Sequence, residues 1–329
     1  MREDEIRPQE LGGQYQRLHA QDTIEMLRQK DEFVDTRCPA CNTLLHRESF
    51  EKGGFHFVTC KCCDTLYIRP RPTEAMLAHF YRTSKSIEQF CAEICRQTED
   101  VRREKIHAPR AAFMSDLGFR YGMGWGPLVD VGAGYGTFCE EVQKLGMFPD
   151  VIAIEPAAGF AQVCREKGLT VIQSPIEHVS GISASVITAF ETVEHFFSPA
   201  AFLETCKSIL LPGGILVLTM PNIRGFDLDM LGPLSDNIDG PNHLNYFHPD
   251  SIRILLSRSG YDVLELTTPG ELDAEIVRKY ALDGRLDLSH SPFLKKMLVD
   301  NWDLFGARFQ SFLSDNNLSS HMRVVARRR

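Results

Sequence analysis

One eight-residue stretch constrains this 329-residue chain more than any other: Val129-Asp130-Val131-Gly132-Ala133-Gly134-Tyr135-Gly136. An apolar run of strand character enters a glycine-rich turn, and helical spacing begins directly after it. Glycine permits positive φ and lets a ligand approach the backbone. The N-terminus of the following helix offers unpaired N–H groups and the positive end of its dipole. Such a turn suits a pyrophosphate or an amino-acid carboxylate. A dinucleotide fingerprint needs G-x-G-x-x-G, but position 137, where its third glycine would fall, is Thr137. Asp130, at the strand end, would repel a pyrophosphate and would attract an ammonium, directly or through water. Glu155 ends the next apolar strand, 151–154, where it can accept both hydroxyls of a ribose, and Pro156 stiffens the turn behind it. These positions favour S-adenosylmethionine over NAD.

After Gly122, Gly124, Gly126 and Pro127, strands and helices alternate. Strands are expected at 128–131, 151–154, 169–172, 184–190, 215–220 and 261–266. Helices are expected at 136–145, 157–167, 199–210 and 251–259. Continuous apolar strands separated by helices predict an α/β fold, with a parallel sheet covered on both faces. A further helical stretch, about 271–316, precedes a last strand at 322–326. Before the core, residues 1–35 read as a frayed N-terminal helical arm, 36–72 as a cysteine-bearing unit and 73–121 as a helical linker that Thr73 caps. The catalytic domain then spans 122–329.

Cys38-Pro39-Ala40-Cys41 and Cys60-Lys61-Cys62-Cys63 form two C-x-x-C knuckles at zinc-ribbon spacing, with Gly53-Gly54 as a hairpin turn between them. Cys38, Cys41, Cys60 and Cys63 are the expected ligands of a structural zinc, with Cys62 as an alternative to a neighbour. Cys91, Cys95, Cys139, Cys164 and Cys206 fall on helical patterns and read as core.

The formal charge of −8 disfavours nucleic acid and acidic membrane surfaces as partners. No stretch is apolar enough to cross a bilayer and no signal-peptide pattern opens the chain, so a cytoplasmic protein with reduced thiols is expected. Its partner is expected to be a small-molecule or glycan substrate. Nothing in the sequence fixes an oligomeric state.

The order of motifs resembles class I methyltransferases of the kinds found in ubiquinone O-methylation and sugar C-methylation. The resemblance rests on 129–136, on Ile154-Glu155-Pro156 and on Glu191-Thr192-Val193-Glu194-His195. It continues through Leu211-Pro212-Gly213-Gly214, Met220-Pro221-Asn222, His243-Leu244-Asn245-Tyr246-Phe247 and Ser259-Gly260-Tyr261. It implies a Rossmann-like, mostly parallel seven-stranded sheet with helices on both faces, closed by an antiparallel strand and preceded by a small zinc ribbon. It implies further that Asp130, Gly132, Gly134 and Glu155 contact the cofactor, with Ser174 and Ile176 beside the adenine, Phe190 on the methionine side and Tyr81 folded over the ligand. Residues 60–81 resemble the ribbon and linker of sugar C-methyltransferases, and the C-terminal part resembles enzymes associated with surface glycans.

A methyl acceptor must lose a proton, and histidine is the side chain suited to take it near neutral pH. His195, at the carboxyl edge of the sheet, is the first candidate base, with Glu194 beside it. His243, Asn242 and Asn245 lie in a polar loop, 235–245, placed to bond a polyhydroxyl acceptor. Alternatively Glu191, Glu194 and His195, with His243, form a magnesium or manganese site that acidifies an acceptor hydroxyl, as in O-methyltransferases of similar type. A sugar acceptor leads, a phenolic hydroxyl is second, and a non-catalytic cofactor-binding module is the third alternative.

Overall fold

The computed structural model describes residues 2–122 and 126–329, so Gly124 of the expected boundary lies outside the described residues. Eleven strands are described: β1 (His46–Lys52), β2 (Phe55–Cys60), β3 (Leu66–Ile68), β4 (Leu128–Val131), β5 (Val151–Ile154), β6 (Thr170–Ile172), β7 (Ala184–Phe190), β8 (Leu210–Pro221), β9 (Asn245–Tyr246), β10 (Tyr261–Thr267) and β11 (His321–Arg328). Seven of them form one sheet in the order β10-β11-β8-β7-β4-β5-β6. From β6 to β8 all neighbours are parallel, and β11 inserts antiparallel between β8 and β10. The fold is the expected Rossmann-like α/β sheet closed by an antiparallel strand.

Both faces of the sheet are covered because successive strand residues point to opposite sides. On one face Val129, Ile187, Leu216 and Leu218 pack with Phe202 and Leu203 of helix Pro199–Ile209 and with Leu255 and Leu256 of helix Pro249–Arg258. On the other, Leu128, Val186 and Val217 pack with Met114 and Leu117 of helix Ala108–Tyr121 and with Phe138 and Val142 of helix Thr137–Lys144. This two-sided burial is why the strands read as unbroken apolar runs rather than as alternating ones.

A second, antiparallel sheet has the order β1-β2-β3-β9. Gly53 and Gly54 join β1 to β2 with positive φ at both positions, the twist a two-residue hairpin needs. The outer strand β9 belongs to the loop that follows β8, far along the chain. Leu66 pairs with Tyr246 and Tyr67 with Asn245. Arg71, fully buried, adds a second tie: its Nη1 donates to the Phe197 carbonyl (2.9 Å) and to Asn245 Oδ1 (3.1 Å), and its Nε to the Ile68 carbonyl (3.2 Å).

The segment 271–316 supplies helices Asp273–Leu282 and Trp302–Asp315, packed together around Val277, Tyr280 and Leu298. Thr73 caps its helix as expected, accepting from the Met76 N–H. No described helix is long and apolar enough to cross a membrane.

Candidate functional site

The turn after β4 meets the structural demands its glycines suggest. At Gly132 (φ +73°) a Cβ would stand 2.9 Å from Thr192 Oγ1, whereas Gly134 (φ +54°) fronts open space. Glu155, 6% exposed, accepts the Gly134 N–H at 2.9 Å on one oxygen and the Ala157 N–H at 2.8 Å on the other. Each oxygen keeps a lone pair for a further donor. Burial pushes this carboxyl up to about 7, against the two N–H bonds that favour its charged form. Pro156 follows, exposed. Ser174 is half-buried, with its hydroxyl on the Pro175 carbonyl.

Two of the expected cofactor contacts have buried side chains. Asp130 is 3% exposed, and both its oxygens point inward: Oδ1 accepts from Thr188 Oγ1 at 2.6 Å and Oδ2 faces Cys139 Sγ at 3.6 Å. It braces the end of β4 from below, pushed up to about 6 by burial, and offers no direct contact to an ammonium in the cleft. Ile176 is buried in the core beneath the sheet edge rather than forming an open wall.

β7 ends at Phe190, and a 3₁₀ turn, Val193–His195, follows. Glu194 is 0% exposed, and neither carboxylate oxygen has a hydrogen-bond partner among the described residues; His195 Nε2 lies 4.0 Å from Oε1. Burial and the nearby Glu191 hold its carboxyl well above the usual range. His195 Nδ1 lies 2.6 Å from the Asn242 carbonyl and Nε2 lies 3.1 Å from the Glu191 carbonyl. Burial, then the adjacent His243, pulls His195 down to about 4, so the ring is neutral at physiological pH. Both nitrogens face carbonyl acceptors, and the shorter contact favours the proton on Nδ1, which sets the Nε2 lone pair against the Glu191 carbonyl. His243, its ring 4.9 Å from that of His195, bonds through Nδ1 to the Asn237 carbonyl. The edge of Tyr81 meets His195 at 6.3 Å, and the buried Tyr81 hydroxyl has no partner. Glu194, His195 and His243 each place one potential ligand atom within 4.8 Å of the others.

Glu191 does not join them, which corrects the expected metal set. Held at φ +51°, it accepts from Thr219 Oγ1 at 2.6 Å, and the same oxygen lies 3.3 Å from His321 and 3.6 Å from Arg110. Asn245 is likewise committed to the backbone, donating to the carbonyls of Glu194 and Phe196, and is not free for an acceptor.

Arg110 carried no signal in the sequence, because it lies on a helix without a motif; its guanidinium sits 4.5 Å over the Phe190 ring. Phe190 also packs edge-on against Phe138. Tyr15 and His19, from the arm read as frayed, reach the same region through Asn242 and Asp239.

The cysteine quartet is assembled as its spacing implied. Cys38 Sγ and Cys63 Sγ are 3.5 Å apart, Cys41 Sγ and Cys60 Sγ 3.4 Å, and all four lie within 4.8 Å of one another. Tetrahedral zinc with bonds of about 2.3 Å sets sulfurs roughly 3.8 Å apart, so the donor set and spacing fit that ion. Cys62 is exposed and stands outside the quartet; its N–H donates to Cys60 Sγ at 3.3 Å.

A family model described as a methyltransferase domain matches residues 88–266. A ubiquinone biosynthesis O-methyltransferase of Bradyrhizobium sp. (strain ORS 278) is 28% identical over 192 residues, covering 54% of this chain and 65% of that protein. A protein of the same description from Cereibacter sphaeroides (strain ATCC 17025 / ATH 2.4.3) is 28% identical over 166 residues, covering 47% of this chain and 60% of that one. The chain therefore spans just under two thirds of the length of these curated relatives. Among solved structures, a SAM-dependent methyltransferase from Archaeoglobus fulgidus is 18% identical with a TM-score of 0.47, covering 69% of this chain and 94% of that one.

Proposed function

The chain belongs to the methyltransferase-domain family, and from that premise we propose that it transfers the methyl group of S-adenosylmethionine to a small polar acceptor, a sugar hydroxyl or carbon first among them, nucleotide-linked or within a glycan. The observation that carries this is Glu194: a fully buried carboxyl whose two oxygens make no hydrogen bond among the described residues, beside two imidazoles, just beyond the carboxyl end of β7. Two residues before it, Thr192 touches the Gly132 turn, so cofactor turn and polar cluster are neighbours.

The donor supplies a methyl group on a sulfonium, open to in-line attack by an acceptor atom. The residues present fit it. Glu155 would accept the ribose hydroxyls, the open backbone at Gly134 would take the close approach, and Ser174 would flank the adenine. Phe190 and Arg110 would hold the methionine end, and Tyr81 would cover it. Acceptor chemistry falls to His195. As the acceptor oxygen or carbon bonds to the methyl carbon and the carbon–sulfur bond breaks, the acceptor proton goes to Nε2, whose lone pair the Nδ1–Asn242 bond preserves. Glu194 and His243 are placed to bond the acceptor.

A second reading is favoured by one observation, the convergence of Glu194, His195 and His243. Magnesium or manganese held there, with His243 in place of Glu191, would acidify a phenolic or other hydroxyl, and the names of the relatives point to O-methylation. His195 is then a ligand and not the base. We further propose a structural zinc at Cys38, Cys41, Cys60 and Cys63, domain limits at 36–72, 73–121 and 122–329, and a cytoplasmic setting that keeps the thiols reduced.

Calorimetric titration with S-adenosylmethionine and separately with NAD tests the donor. Saturable binding of the first alone is expected, and its failure with a folded, zinc-loaded sample leaves a non-catalytic module. Turnover on nucleotide sugars and on a catechol, with and without chelator, then separates the two readings.

A further inference from the structure

The helix Gln9–Leu27 is tied to the body of the protein at its far end. Asp22 accepts from the Ser84 hydroxyl (2.7 Å) and from the backbone and hydroxyl of Ser86 (2.9 Å each). Met26 packs in the same cluster as Phe55 and Phe57. Nearer its start the helix meets the loop 235–245 at two points. Asn242 Nδ2 donates to the Tyr15 hydroxyl at 3.1 Å, and His19 Nε2 lies 2.6 Å from Asp239 Oδ2, an ion-pair contact off hydrogen-bond alignment. The two rings stack on each other, and Tyr15 also leans on Phe90.

Both grips fall on residues that set the candidate histidines. Asn242 is the residue whose carbonyl receives His195 Nδ1 at 2.6 Å, and the Asp239 carbonyl accepts the N–H of His243 at 2.9 Å. Asp239 is steadied from the other side by its own N–H, which donates to the Tyr246 hydroxyl at 2.8 Å. The helix thus touches neither His195 nor His243 through a polar contact, yet holds the segment on which each depends.

We propose that Tyr15 and His19 are positioning residues of the acceptor site: by clamping Asn242 and Asp239 they hold the proton of His195 on Nδ1, so that Nε2, 3.1 Å from the Glu191 carbonyl, keeps its lone pair for the acceptor proton. The tautomer assignment stands on geometry alone, while its use in turnover rests on the function proposed above. When the Asn242 carbonyl drifts away, the Glu191 carbonyl, 3.1 Å from Nε2, is the acceptor that remains, so the proton moves toward Nε2 and the fraction of molecules with a usable Nε2 falls.

The test uses the full-length, zinc-loaded protein labelled with ¹⁵N-histidine, with the His195 signals assigned by their loss in His195→Gln. In the wild type Nδ1 should appear protonated and Nε2 unprotonated. In Tyr15→Phe and His19→Asn, and more so in the double variant, the Nε2 resonance should move toward the protonated position as the two tautomers mix. Amide hydrogen exchange across 235–245 should rise about tenfold while that of 128–136 stays put. On any acceptor that turns over, kcat should fall about tenfold with KM for S-adenosylmethionine unchanged. Tyr15→Phe loses one oxygen and keeps the ring on Phe90, so it carries the test even where the double variant fails to fold. A tautomer unchanged in Tyr15→Phe and His19→Asn overturns the proposal, whatever the loop exchange does. Failure of the wild type to bind S-adenosylmethionine overturns the methyltransferase reading alone, since the tautomer readout needs no cofactor.

Discussion

Glu155 meets the cofactor turn with its carboxyl pushed up to about 7, chiefly by burial. The sign of the consequence follows from linkage. A carboxyl raised in the folded state binds its proton more tightly there than in the unfolded chain, so its contribution favours folding below its ordinary 4.5 and fades as pH climbs to about 7. Ribose hydroxyls donate to the ionised form. Affinity for S-adenosylmethionine is therefore expected to rise about tenfold between roughly pH 6 and pH 8, and Glu155→Gln to weaken binding and flatten that slope. Calorimetric Kd values at the two pH extremes check it. Gly132→Ala sets a Cβ against Thr192 and keeps a positive φ, a strain of about 1–3 kcal/mol that should show in denaturant melts together with lost cofactor affinity. At this scale the sequence was legible where a local rule applied. Glu155 follows a strand and precedes a proline, and its place could be read from that alone. The direction of Asp130 could not, because its partner Thr188 lies on a strand adjacent in the sheet but distant in the chain. Glu191 escaped for the same reason: Thr219 and His321, on β8 and β11, draw it away from Glu194.

Among the elements, the ribbon shows what spacing can establish and what it leaves open. Two C-x-x-C pairs and a Gly-Gly turn implied the quartet and the hairpin. Only geometry removes Cys62, whose side chain is exposed while its backbone serves Cys60. Cys38→Ser is expected to abolish zinc content and to collapse soluble yield, while Cys62→Ser retains one zinc per chain; elemental analysis of both variants decides it. The size of the effect follows from metal binding being folding energy in such units, of order 10 kcal/mol in isolated peptides. Helix 9–27 was the opposite case. Its apolar positions, Ala20, Ile24 and Leu27, are too sparse to announce a buried face, and it is held mainly by polar contacts from Tyr15, His19 and Asp22 to distant segments. Polar contacts of that kind leave no periodicity to read.

The molecule as a whole is joined where the sequence suggested a seam. Strand β9, from the stretch expected to be catalytic domain, becomes the fourth strand of the ribbon sheet. Two residues are too short a strand to signal themselves, and β9 is specified by β3 rather than by its own composition. Arg71 tightens the join. Arg71→Met would leave the carbonyls of Ile68 and Phe197 and the Asn245 side chain without their donor, which is expected to cost roughly 2–4 kcal/mol in denaturant unfolding. His248 and Arg258 extend the contact to the knuckles themselves, bonding the carbonyls of Cys63 and Ala40. A single calorimetric transition is therefore expected for the zinc-loaded protein, and two separated transitions would show the units to be independent. Strand β9 also continues directly from the loop that carries His243, so the ribbon sheet and that loop meet on one piece of backbone. A lineage that altered its acceptor by exchanging ribbons would have to inherit residues 38–72 and 235–247 as a pair, and a chimera built from either half alone would carry a sheet whose last strand answers to a different parent.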